Sequence, residues 1–126
     1  MNYQHILLAV DDSPTAIATA EQVIILAKAL SSKVTIASVV VLDPLTSVSF
    51  YKNVPGITDY YLAAKAHAKY ILAELKHKFI HHGIETETKL ISSHSPSDGI
   101  SKLADELNVD LIVVGSHGRT GLKKAL

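Results

Sequence analysis

Val113-Val114-Gly115-Ser116-His117-Gly118-Arg119-Thr120-Gly121 closes an apolar run that begins at Leu111. Four consecutive apolar residues without alternation read as a strand buried on both faces. Glycines three apart then make a turn, and the basic start of a helix follows. Backbone N–H groups in a Gly-rich turn between strand and helix can cradle phosphate. Gly115 and Gly118 lack the Cβ atoms that would block that approach. The spacing of Gly115, Gly118 and Gly121 is not G-x-G-x-x-G, and the Gly-Lys-Ser/Thr of a Walker loop is absent. Paired glycines after a strand also serve as plain turn devices, so a purely geometric role for them stays open.

Working outward, Ile6-Leu7-Leu8-Ala9-Val10 is a second continuous apolar run, ended by Asp11-Asp12-Ser13-Pro14. Ser as N-cap and Pro at the first helical position predict a helix start at Ser13-Pro14. Ala16, Ala20, Val23, Ala27 and Leu30 give that helix its inward stripe. Val34 to Val41 is rich in β-branched residues and predicts a strand, ended at Asp43-Pro44. Leu45 to Thr58 lacks a period and reads as a long loop. From Asp59 a helix is expected to run to His82, with Ala68, Leu72, Leu75 and Phe79 on one face and Gly83 as its stop. Glu85 to Ile91 mixes polar and β-forming residues, as an edge strand does. Ser95-Pro96-Ser97-Asp98 is another helix start, with Ile100, Leu103, Ala104 and Leu107 as the inward stripe.

Strands alternating with helices predict an α/β fold: an open parallel sheet with helices on both faces, joined by right-handed crossovers. With the first strand central, flanked by the second and fourth, the strand order is 3-2-1-4. The strand Leu111 to Val114 carries no edge protection, so a fifth strand is expected beyond it, and the 126 residues are read as one domain incomplete at its C-terminal end. Zero formal net charge argues against a broad nucleic-acid or anionic-membrane footprint. The chain has no cysteine, which excludes disulfides and thiol catalysis and fits a cytoplasmic setting. The longest apolar runs are too short to span a bilayer.

In such a sheet, ligands bind beyond the carboxyl ends of the strands, where the strand order reverses. Three ends would meet there: Ala9-Val10-Asp11, Ser38-Val39-Val40 and Val114-Gly115-Ser116-His117-Gly118. Val10 and Val39 suit an apolar slot for adenine, Asp11 a ribose hydroxyl, and Gly115 and Gly118 phosphate.

The chain resembles the universal stress protein family over essentially its whole length. The resemblance rests on His5 to Ser13, on Ala37-Ser38-Val39, on the Pro96 helix start and on Asn108 to Leu122. It is similar to the ATP-binding branch, whose signature is Gly, two residues, Gly, nine residues, then Gly-Ser or Gly-Thr. Gly115 and Gly118 match the first half; the second half would begin past Leu126. His94 stands where the family usually has Gly before the helix-start Pro. The resemblance implies a flavodoxin-like, five-stranded fold and a non-enzymatic cytoplasmic stress-response protein. It also implies a homodimer built on the last strand, and an adenine nucleotide (ATP, ADP or AMP) with Mg or Mn. Carried over by position, Ala9, Val10, Asp11, Ser13, Val39, Val114, Gly115, Ser116, His117 and Gly118 would hold the nucleotide, Asp11 also touching the phosphate-bound metal. The runner-up is a member without nucleotide, acting through dimerisation alone.

Other chemistries fit less well. Asp11-Asp12 resembles the acid pair of a receiver domain, but Ile91 is followed by Ser92-Ser93 rather than a phospho-accepting Asp. His77 and His81 have the i, i+4 spacing of metal ligands but no matching carboxylate nearby. Ser116-His117 lacks a nucleophile elbow, and no general base stands out for hydrolysis.

Overall fold

The computed structural model describes residues 3–11, 14–41 and 57–115. Strand β1 spans His5–Val10, helix α1 Pro14–Leu30, strand β2 Lys33–Val41 and helix α2 Ile57–His81. Strand β3 spans Thr86–Ser93, helix α3 Pro96–Leu107 and strand β4 Leu111–Gly115. The strands form one parallel sheet in the order β3-β2-β1-β4, as the sequence predicts.

All six residues of β1 are buried, which is why its sequence does not alternate. Side chains on its two faces enter two separate cores. Ile6, Leu8 and Val10 pack with Ala16, Ala20, Val23, Ile24 and Ala27 of α1 and with Leu72, Leu75 and Phe79 of α2. Leu7 packs with Leu103 and Ala104 of α3 on the opposite face. The predicted stripes of all three helices are therefore inward, though Leu30 is only half-buried. Each fully buried Leu, Ile or Phe contributes about 1.5–3 kcal/mol. β3 lies at the sheet edge with Glu87 and Lys89 exposed, which blunts the edge with charge.

Local signals set the boundaries. Ser95 caps α3, its hydroxyl accepting from the Asp98 N–H at 3.4 Å. Asn108 ends α3 in the left-handed region at φ 55, its N–H donating to the Ala104 and Asp105 carbonyls. Gly83, at φ +79, turns the chain out of α2. Boundaries shift from expectation by one or two residues at most elements, and two of these shifts change what an element contains. α2 begins at Ile57, so Ile57 and Thr58 belong to it rather than to the loop. β3 extends to Ser93 because Val40 and Val41 of β2 register with Ser92 and Ser93, and backbone pairing tolerates the serines. The Ser13 cap, most of the predicted loop and the helix after Gly118 lie outside the described residues.

Candidate functional site

β2 and β3 lie on one side of β1 and β4 on the other, so the winding reverses between β1 and β4. At the carboxyl end of β1, Val10 registers with Ser38 of β2 and with Gly115 of β4. One step back, Ala9 registers with Ala37 and Val114. The three predicted strand ends therefore converge. β2 runs three residues further, Val39 to Val41, registered only with Ile91 to Ser93 of β3. No residue of β1 is registered with them, so among the described residues no strand pairs with the β1-facing side of β2 past Ser38. That is where a planar base can meet backbone donors and acceptors beside Val39, which is half-buried.

Small side chains keep this end narrow. A Cβ on Gly115 would lie 3.2 Å from both the Ala16 Cα and the Thr19 Cβ. β4 thus ends directly against the second turn of α1, and Gly115 has a packing reason of its own. Thr19, buried at this contact, carries no periodic signal, since a single buried Thr beside an alanine stripe looks like a surface residue. Asp11 follows β1 and is half-buried. It lines one end of a groove of about 480 Å³ between α1 and α2, walled by Ala16, Ile17, Ile71 and Leu75, with Tyr70 and Glu74 at the rim. The Tyr70 hydroxyl donates to Glu74 at 2.6 Å, and this hydrogen bond raises the phenol above its usual range. Ile17 lies off the inward stripe of α1 and is 53% exposed. Ser13, Ser116, His117 and Gly118 lie outside the described residues. Among the described residues no group of three His, Cys, Asp or Glu could hold a metal, so the helix-end histidines form no such cluster.

The opposite end of the sheet carries a set of backbone hydrogen bonds, beside a groove of about 720 Å³ lined by Gln4, Ser31, Lys33 and Glu85. The Asp110 carboxylate accepts from the backbone N–H groups of Gln4 and His5 at 2.8 and 2.9 Å. The Asp110 N–H returns a bond to the His5 carbonyl at 2.9 Å. The buried His5 ring places Nε2 2.7 Å from the Thr35 hydroxyl. Burial, then the Lys33 ammonium, lowers the His5 pKa below 6.5, against the opposing pull of Asp110, Glu87 and the Leu107 carbonyl.

A parallel sheet in the order 3-2-1-4 with helices on both faces defines the doubly wound α/β class. Within that class the chain belongs to the universal stress protein family, whose model matches residues 2–126. The chain is similar to universal stress protein A homolog 1 of Coxiella burnetii, 29% identical over 126 residues, covering 100% of this chain and 85% of that protein. It is also similar in structure to a family member from Burkholderia pseudomallei, with TM-score 0.77, 19% identity, and coverage of 97% and 86% of the two chains. An Archaeoglobus fulgidus universal stress protein in complex with dAMP matches with TM-score 0.61 at 22% identity, covering 90% of this chain and 82% of that one. Among the described residues no helix is long and apolar enough to cross a membrane.

Proposed function

We propose that the chain binds an adenine nucleotide, ATP or its products ADP and AMP, in the crevice beyond β1, β2 and β4. The observation that carries this is the register. Val10 sits between Ser38 and Gly115, while β2 continues past it with no strand among the described residues paired to its β1-facing side. Adenine lies against Val10 and the backbone of Val39, ribose against Asp11, and phosphate against the turn from Gly115 to Gly118. The family member solved with dAMP supports the ligand class. Asp11 offers one carboxylate and the described residues no three-ligand cluster, which suits a Mg or Mn ion held mainly by phosphate. Such an ion would neutralise phosphate charge; Asp11 would orient it.

The role we infer is nucleotide-dependent signalling in the cytoplasmic stress response, as a homodimer and without enzymatic turnover. The packing role of Gly115 favours a second reading, a member that keeps the turn for its fold and acts without nucleotide. Denaturing the purified protein and analysing the supernatant separates the two. The first reading predicts released ATP, ADP or AMP, or a thermal shift on adding ATP with magnesium. Neither released nucleotide nor thermal shift would leave the second.

A further inference from the structure

A surface helix ordinarily turns apolar residues inward and charge outward. α1 does not: its charged residues are Glu21 and Lys28 alone. Its outer side presents Thr15, Ala18, Gln22, Ile25 and Ala29, all exposed, at the 3-4-3-4 spacing of a helix–helix seam. Ile25 is 64% exposed and Ile17, toward α2, 53%. Leu62, Tyr70 and Ile80 of α2 are exposed as well, and α2 packs on the same face of the sheet as α1.

This seam is complementary to itself. If two copies of α1 run antiparallel about a point between Val23 and Ile24, Ile25 falls opposite Gln22 of the second copy and Ala18 opposite Ala29. Glu21 and Lys28 flank the same side of the seam and have opposite sign. The same two-fold places each Glu21 within about one turn of Lys28 of the other copy, giving two equivalent ion pairs. A parallel two-fold would put the two charged flanks on opposite sides of the seam and lose both ion pairs, which disfavours it. The contact of Glu21 with Lys78 at 3.9 Å leaves its side chain 58% exposed and open to a second cation.

We propose that the outer face of α1 pairs with the same face of a second copy, antiparallel about a two-fold axis beside Val23 and Ile24. α1 packs on β4 and β1 and its outer face is solvent-exposed, so the pairing uses a helix surface rather than a strand edge. It is also independent of whether nucleotide binds.

Sedimentation velocity on the full chain tests the pairing. Ile25→Glu should abolish the α1-dependent association. Glu21→Lys and Lys28→Glu should each weaken it about tenfold or more, and the double exchange should restore it. Because the chain has no cysteine, Gln22→Cys introduces a single thiol beside the proposed axis. Mild oxidation should link it into a dimer, whereas Lys102→Cys on α3 should remain unlinked. All these positions are exposed, and a melting curve for each variant checks that the fold is kept. Association unchanged in Ile25→Glu and in both charge reversals would overturn the proposal. So would a Gln22→Cys variant that links no better than Lys102→Cys.

Discussion

The two ends of the parallel sheet differ in how they treat the backbone. At the foot, Asp110 accepts two backbone N–H groups, its own N–H reaches the His5 carbonyl, and Ser32 donates to the Tyr3 carbonyl. At the head, β2 outruns β1 by three residues, and small or glycine positions replace bulky ones. The foot spends its polar groups on the fold. At the head the pairing of β2 with β1 stops at Ser38 while β2 goes on to Val41. The proposed nucleotide site would place binding at the head and leave this part of the fold's stability to the foot.

That separation can be broken by substitution. Gly118→Val is expected to abolish nucleotide binding, because Gly118 is half of the glycine pair read from the sequence as the phosphate cradle. Unchanged affinity by titration calorimetry would move the phosphate site elsewhere. Gly115→Ala should act on both binding and stability. Its new Cβ meets the backbone of α1 at 3.2 Å, and overpacking of this kind costs about 1–3 kcal/mol. Chemical denaturation would read the loss, and a fully stable variant would show that α1 can move away freely.

At the foot, Asp110→Ala removes the acceptor of an exposed and a half-buried backbone N–H and should cost about 1 kcal/mol with little change in nucleotide affinity. A selective loss of affinity would mean the two ends are coupled. The smallest effect expected is a pH dependence. The folded protein disfavours protonated His5, so the unfolded chain takes up the proton first as pH falls. The contribution of His5 to stability is full above pH 6.5 and declines as pH drops from there toward the lower folded pKa. Denaturation curves at several pH values should show this decline, and His5→Gln should flatten it. An equal slope in the variant would assign the dependence to other groups.

The sheet order was legible in part: β1 is an unbroken apolar run at the centre and β3, which mixes charge with β-formers, is at one edge. The equally apolar β4, in contrast, lies at the other edge of the described sheet with Leu111, Ile112 and Val114 half-buried. The helix faces were legible from period alone. Less legible was what depends on close contact in three dimensions. Gly115 looks the same in sequence whether it makes room for phosphate or for α1, and only the 3.2 Å approach to Ala16 reveals the second role. The His5–Thr35 pair joins residues 30 positions apart, and His5 gave no sign that its ring is buried. The exposed isoleucines of α1 were hidden by an alanine stripe that reads as a complete core face.

The central claim is that the head of the sheet holds an adenine nucleotide. Titration calorimetry of ATP with magnesium into the wild-type protein and into Gly118→Val tests it most directly. The account predicts saturable one-to-one binding per chain in the first and none in the second. No binding to a folded wild-type protein freed of nucleotide, or equal binding to both, would contradict it.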